Sequence, residues 1–282
     1  MNWGVALMGL SVVAFAVMNL AIKYLAHLPT FELVFFRALI AAAIAYVTLR
    51  VKRIPVWGNQ KSTLILRGLF GFGALSMFVA TLQHMPMATS LVIQYMSPVW
   101  VAILGIFILK EPMHPLQWIC LALASAGVVL IKGFDPRVDM VYLLIGIASC
   151  ILSAMAYTTV RHLRKTDHPL VVVFYFPLVT LPLSGVMMAL DWEMPSMVDW
   201  VWIGVMGVFA QLGQIFMTFS LHKEKANVVS SVSYLGIFFG LAFGYFLFEE
   251  TYNLLAGVGI GMVLAGVILN VVVGQTKGLG KA

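Results

Sequence analysis

The sequence predicts an all-α integral membrane protein with ten transmembrane helices, arranged as two inverted five-helix repeats around a central cavity. Three observations predict this fold: the composition, the spacing of the apolar runs and the distribution of positive charge. Of the 282 residues, 62% are hydrophobic and 10% are charged, whereas a soluble domain has about 45–50% and about 25%. The excess apolar surface must therefore face lipid.

Ten apolar runs follow one another along the chain, with short turns between them. A transmembrane helix needs about 20 apolar residues, and helices are expected because lipid offers no partner to the open edge of a strand. Turn residues such as Leu28-Pro29-Thr30 and Asp167-His168-Pro169 separate the runs. The runs lie at 3–22, 31–49, 63–83, 87–108, 115–131, 141–160, 170–190, 200–220, 226–248 and 253–273.

Positive residues concentrate in alternate turns, and this pattern predicts the orientation. One set of turns, with the C-terminal tail, carries Arg50, Lys52, Arg53, Lys61, Lys110, Arg161, Arg164, Lys165, Lys223, Lys225, Lys277 and Lys281. The opposite set carries Lys132 and Arg137. Since cytoplasmic turns are the positive ones, both termini are predicted to be cytoplasmic in a bacterial-type inner (plasma) membrane. The net charge of +6 is assigned to these anchors rather than to a nucleic-acid partner.

The two halves of the hydropathy pattern superpose after a shift of 138 residues. Ser11 then meets Ser149, and Phe36 meets Phe174. Residues 1–137 are predicted to form the first repeat and residues 138–282 the second. Because five is an odd number, the two halves must enter the membrane from opposite faces. Many secondary transporters have this arrangement, with the substrate site between the repeats.

The fourth and fifth helices of each half carry similar motifs. In the first half these are Ala88, Ser97-Pro98-Val99, Gly105, Lys110-Glu111-Pro112 and Ala126-Gly127-Val128-Val129-Leu130. In the second half they are Ala226, Tyr234, Gly240, Phe248-Glu249-Glu250, Gly259 and Ala265-Gly266-Val267-Ile268-Leu269. Both sets resemble the EamA repeat of the drug/metabolite transporter superfamily. The resemblance covers essentially the whole chain and implies a ten-helix metabolite carrier.

Polar side chains indicate which runs surround the cavity, because such residues within a bilayer usually face protein or water. They occur in runs 1, 3, 4, 6, 8 and 9, and the resemblance implies the same set. Hydrogen bonds within or between helices are the alternative interpretation. Runs 5 and 10 carry small residues and are predicted to be scaffold or homodimer contacts. The candidate substrate-binding residues are Asn19, Arg37, Ser76, Phe78, Gln94, Tyr95, Tyr157, Gln211, Gln214 and Tyr234.

Arg37 is the most informative of these candidates. It lies about seven positions into run 2, where a charge is costly, and it matches the basic position common early in the second EamA helix. It either attracts a substrate carboxylate or gate partner, or reaches the interface or backbone carbonyls. Pro98 is predicted to kink run 4 and to free the carbonyl of Gln94.

Acidic residues are scarce inside the runs, and Glu32 is the only plausible one. A carboxylate proton relay therefore has little material, which favours facilitated diffusion or exchange. Glu111 and Glu249 are expected to cap or pair at helix ends.

The sequence lacks the phosphate loop, the His-Glu-x2-His and Cys-x2-Cys metal motifs and the Gly-x-Ser-x-Gly nucleophile motif. We therefore expect no cofactor, no metal and no enzymatic activity. The predicted function is secondary transport of a small amphipathic metabolite, an amino acid or related zwitterion or anion, by alternating access. The protein would act as an exporter, exchanger or facilitator, with the metabolite and membrane lipid as its partners. A flippase for a lipid-linked substrate is the alternative, and a membrane enzyme or receptor is a weaker one.

Overall fold

The computed structural model describes residues 3–108, 115–164, 166–223 and 232–278, and the regular secondary structure within these ranges is helical. The first part of the chain forms α1 (Trp3–Tyr24), α2 (Thr30–Val51), α3 (Lys61–His84), α4 (Met87–Gln94), α5 (Ser97–Ile108) and α6 (Pro115–Phe134). The second part forms α7 (Met140–Leu163), α8 (Pro169–Met188), α9 (Met197–Lys223), α10 (Leu235–Phe248) and α11 (Leu254–Gly278).

Seven helices in the described ranges are long and apolar enough to cross a membrane. They are α1, α2, α3, α6, α7, α8 and α9, which correspond to runs 1–3 and 5–8. The predicted all-α, multi-pass membrane fold is therefore confirmed at this level. The apolar parts of α10 and α11 are shorter, and residues 226–231 of the predicted ninth run lie outside the described ranges. Glu111 also lies outside them.

The fourth run is not one kinked helix, as the sequence predicted, because α4 and α5 are separated by a turn at Tyr95 and Met96. Proline has no amide hydrogen, so Pro98 cannot donate to the carbonyl one turn before it. The Ser97 hydroxyl donates to that carbonyl, on Gln94, at 2.6 Å. The carbonyl of Gln94 was predicted to be free for a substrate, but it already accepts this hydrogen bond.

The helices pack as antiparallel pairs between the two parts of the chain. In the α1–α9 pair, the Ser11 hydroxyl donates to the carbonyl of Gly213 at 2.9 Å, and the Ser220 hydroxyl donates to that of Gly4 at 2.6 Å. In the α3–α7 pair, the Ser149 hydroxyl donates to the carbonyl of Ala74 at 2.8 Å. Ser11 and Ser149, which the 138-residue shift superposes, thus make similar bonds to a facing helix.

The α6–α11 pair is the closest backbone approach, and glycine makes it possible. A Cβ atom on Gly127 would lie 2.6 Å from the carbonyl oxygen of Gly259 and 2.8 Å from the amide of Val263. Small residues allow such approaches between membrane helices. The α2–α8 pair uses aromatic contacts, with the rings of Tyr46 and Phe174 6.3 Å apart.

Corresponding helices begin at a nearly constant separation along the chain. α1 and α7 begin at residues 3 and 140, α2 and α8 at 30 and 169, and α6 and α11 at 115 and 254. Each separation is close to the shift of 138 residues that the hydropathy pattern predicts.

Candidate functional site

A narrow cavity lies between α2, α3, α8 and α9, with room for about one water molecule. Its polar lining consists of Arg37 from α2 and Gln211 and Gln214 from α9, and its apolar lining includes Phe176 from α8. Three of the predicted site residues therefore meet here. The second and seventh predicted runs, α2 and α8, contribute to the lining, although their sparse polar residues had not nominated them.

Arg37 is buried, with 4% of its surface exposed. Its guanidinium carbon lies 5.8 Å from the centre of the Phe176 ring. Within the described ranges, its Nε and Nη1 atoms have no hydrogen-bond partner. Arg37 therefore does not reach the membrane interface, and these two nitrogens do not hold backbone carbonyls, the two alternatives that its sequence position left open.

Arg67 on α3 is the residue that sequence reasoning missed. It is 6% exposed, its guanidinium carbon lies 4.6 Å from the centre of the same Phe176 ring, and its Nε has no partner among the described residues. It had been set aside as a charge near a helix end. The available signal was its depth, since it is as far into α3 as Arg37 is into α2.

Two tyrosines meet at the breaks of the fourth and ninth runs. The rings of Tyr95 and Tyr234 are 5.8 Å apart in an edge-to-face arrangement. A Cβ atom on Gly236 would collide with the Tyr95 hydroxyl, so this glycine admits the pair. Tyr157 is within electrostatic range of both Arg67 and Tyr95, and it therefore links the tyrosine pair to the arginines.

Gln94 is held by the facing helix α7 rather than aimed at the cavity. Its Nε2 donates to the Ser153 hydroxyl at 2.9 Å, and its Oε1 accepts from the Ser149 hydroxyl at 3.0 Å. This geometry is the interhelical hydrogen bonding that the sequence analysis weighed against substrate binding.

The remaining predicted site residues do not line the cavity. Phe78 belongs to the hydrophobic core formed with Leu75 and Leu82. Asn19 and Ser76 are buried, and within the part of the chain that the structure describes, Asn19 Oδ1 and Ser76 Oγ have no hydrogen-bond partner.

A second buried charged group, the Lys23–Glu250 cluster, joins the end of α1 to the loop after α10. The Lys23 ammonium lies 3.6 Å from a Glu250 oxygen and donates to the carbonyl of Met85 at 2.7 Å. Both Glu250 oxygens lie 2.9 Å from the amide of Met87, and the Tyr252 hydroxyl donates to one of them at 2.9 Å. Burial and the Glu250 charge raise the pKa of Tyr252.

The acid in this cluster differs from the one that the sequence indicated. Glu249 is exposed and takes the left-handed conformation that ends α10, with φ of 53°. It occupies a cap position, as expected, but the buried ion pair is formed by the next residue, Glu250.

A polar bridge also joins the two parts of the chain at the opposite end of the bundle, where α3 and α8 begin. The backbone amide of Asn59 donates to the Asp167 carboxylate at 2.6 Å, and its side chain donates to the carbonyl of Thr166 at 2.6 Å. Contacts between the halves thus occur at both ends of the bundle, with the buried arginines between them.

Long apolar helices, a buried charged centre and polar bridges between the two parts of the chain are features of membrane transporters. Sequence comparison agrees with this class. The model of the EamA-like transporter family matches residues 2–133 and again residues 140–272. The chain belongs to the EamA-like transporter family and is a multi-pass membrane transporter.

Individual relatives extend along nearly the whole chain. The pseudopaline exporter CntI of Pseudomonas aeruginosa is 28% identical over 268 residues, covering 94% of each protein. Solute carrier family 35 member G1 of Homo sapiens is 24% identical over 261 residues, which cover 86% of this chain and 71% of the human protein. A solved crystal structure has the same fold with a TM-score of 0.65, 16% identity and coverage of 95% and 96%.

Proposed function

We propose that the protein is a secondary transporter that moves a small amphipathic metabolite bearing an acidic group across the inner membrane. The observation that carries this proposal is Arg37, a buried cation with unpaired nitrogens that lines the cavity beside Gln211 and Gln214. An unpaired charge in the interior of a membrane bundle costs several kcal/mol. A bound carboxylate would supply the counter-charge, and the two amides would bind its polar substituents.

Alternating access between two inverted five-helix repeats is the proposed mechanism. Two observations support it: corresponding helices begin close to 138 residues apart, and the shift exchanges the α1–α9 pair with the α7–α3 pair. The Lys23–Glu250 cluster and the Asn59–Asp167 bridge each join the two halves, at opposite ends. Opening one end toward the substrate would separate one of these contacts while the other stays closed.

Export is the proposed direction, and an amino-acid-like acid is the proposed substrate. A relative that is similar along 94% of this chain is named as an exporter of pseudopaline. This name supports outward transport of an organic metabolite, and the cation in the cavity supports an acidic group on it. We also propose that the molecule forms homodimers, because Ala122 and Ala126 of α6 and Gly257 and Gly261 of α11 are exposed small residues.

The substrate proposal is tested by counterflow in proteoliposomes with a panel of amino acids and carboxylated metabolites. We expect Arg37→Ala to lose the uptake of the acidic solutes that the unmodified protein moves. The matched control is Arg50→Ala, since Arg50 is an exposed arginine at the end of the same helix. If Arg37→Ala moves these solutes with unchanged affinity, the proposed site is wrong. Transfer of a lipid-linked probe between leaflets without solute uptake would favour a flippase instead.

The orientation is tested with reporter fusions that are active on one side of the membrane. We expect a reporter fused after Pro55 to report the cytoplasm and one fused after Asp191 to report the other side. This assignment puts the Asn59–Asp167 bridge at the cytoplasmic end. Signals from the same side at both positions would contradict the orientation and the odd number of helices in each half.

A further inference from the structure

Two buried guanidinium groups lie over one aromatic ring. Arg37 and Arg67 come from different helices, and their guanidinium carbons lie 5.8 Å and 4.6 Å from the centre of the Phe176 ring. Arginine keeps its charge in proteins. The interior of the bundle therefore holds two positive charges within reach of one cavity.

Neither charge is neutralised within the ranges that the structure describes. The unpaired nitrogens are Nε and Nη1 of Arg37 and Nε of Arg67. The buried acids are engaged elsewhere: Glu32 accepts from the amide of Glu193 at 3.2 Å, and Glu250 pairs with Lys23. Attraction to the Phe176 ring offsets less than the cost of burying an unpaired charge. The arrangement therefore lacks about two negative charges.

We infer that Arg37 and Arg67 together bind an organic dianion, so that the transported class is a metabolite with two carboxylates. This inference rests on the proposed function, because it assumes that the substrate occupies the cavity beside Arg37. A monocarboxylate would leave one arginine unpaired, and a neutral amino acid would bring a cation of its own. Each guanidinium can bind one carboxylate through two parallel hydrogen bonds. Ala38, Ala41 and Leu75 line the same cavity and suit the hydrocarbon part between the two acids.

Gly71 creates the space that Arg67 occupies. It lies one helical turn after Arg67, and a Cβ atom on it would collide with Nη1 of Arg67. The same Cβ would lie 2.8 Å from a ring carbon of Phe176. The substitution Gly71→Ala thus keeps both positive charges but displaces one of them from the ring, which separates the effect of charge from that of position.

The test compares dicarboxylates with their monoamides. The probes are the straight-chain dicarboxylates from malonate to adipate, each paired with the compound in which one carboxylate is an amide. Affinity is measured from ligand-induced thermal stabilisation of the purified protein and from counterflow in proteoliposomes. For the unmodified protein we expect at least one dicarboxylate to bind roughly 30-fold more tightly than its monoamide.

Arg67→Gln should remove this preference. We expect the affinity for the dicarboxylate to fall roughly 30-fold and the affinity for the monoamide to change less than about 3-fold. Gly71→Ala should cause a similar loss, and it replaces Arg67→Gln if that variant does not fold. Arg50→Gln, on the exposed end of α2, should bind both probes as the unmodified protein does.

The outcomes separate this inference from the proposed function. If the unmodified protein does not distinguish the two probes, or if both Arg67→Gln and Gly71→Ala keep the preference, the inference is wrong. If solutes with one carboxylate move in a way that requires Arg37 but not Arg67, the inference is wrong and the proposed function stands. If no solute moves, or if Arg37→Ala has no effect on transport, both are wrong.

Discussion

The Lys23–Glu250 cluster and the Arg37–Arg67 pair are both buried and charged, but only the first is neutralised by the protein. Lys23 has a carboxylate at 3.6 Å and a carbonyl acceptor at 2.7 Å. The arginines have an aromatic ring and unpaired nitrogens, among the residues that the structure describes. A cluster that is complete within the chain holds helices together, whereas an incomplete one gains its counter-charge from a ligand.

The difference has an energetic consequence for the protein without substrate. Removing one member of a satisfied pair leaves the other member buried and unpaired, so stability falls. Removing a charge that is already unpaired takes away a desolvation cost, so stability rises. Stability lost in this way is expected at functional sites, where a strained or uncompensated group is retained because the activity requires it.

The largest expected effect is on the neutralised side of the comparison. Glu250→Gln leaves the Lys23 ammonium without its carboxylate, and we expect a loss of about 3 kcal/mol in unfolding free energy. The matched control is Glu249→Gln, an exposed neighbour, which should change stability by less than about 0.5 kcal/mol. Thermal unfolding in detergent measures both. Equal stability of the two variants would show that the Lys23–Glu250 cluster holds nothing together.

The next effect has opposite signs in the two regions. Arg67→Met should raise the stability of the substrate-free protein by about 2 kcal/mol, because it removes an unpaired buried charge. Lys23→Met should lower it by about 2 kcal/mol, because a charged donor to the carbonyl of Met85 is lost. The same thermal unfolding assay applies. Destabilisation by both substitutions would end the distinction between a neutralised and an unneutralised cluster.

The smallest effect concerns the bridge at the opposite end of the bundle. Asn59→Ala removes the side-chain hydrogen bond to Thr166 but keeps the backbone bond to Asp167. Since a neutral hydrogen bond contributes about 1 kcal/mol, we expect a loss of at most that size and retained transport. A loss as large as that of Glu250→Gln would show that the two ends of the bundle are held equally firmly. Gln60→Ala is a suitable control, because Gln60 lies beside this bridge and bonds only Thr63 among the described contacts of its side chain.

Much of the fold followed from the sequence because lipid imposes simple rules on composition and length. Seven predicted runs match helices of spanning length, and the motifs identify the EamA-like transporter family. The fourth run illustrates the limit of these rules. A proline inside an apolar run predicts a disturbance, but the sequence does not show whether the helix bends or stops. Here Ser97 bonds the carbonyl of Gln94, and a turn separates α4 from α5.

The site was predicted in part. Arg37, Gln211 and Gln214 meet at the cavity, because costly polar groups inside a span are visible in the sequence. Gln94 does not join them, because its amide bonds two serines of α7. Arg67 was overlooked, because distance from a helix end does not reveal whether a long side chain turns outward or folds back over a neighbouring ring. The space left by Gly71 decides that direction.

The sequence by itself determined that this chain is a helical membrane protein of a known transporter family, because hydropathy, turn residues and motifs are properties of the chain alone. Only the tertiary structure decided which buried charges are neutralised. Lys23 and Glu250 are far apart in sequence and in contact in space, while Arg37 and Arg67 share a ring on a third helix. Charge pairing depends on distances between helices, and those distances are set when the helices pack.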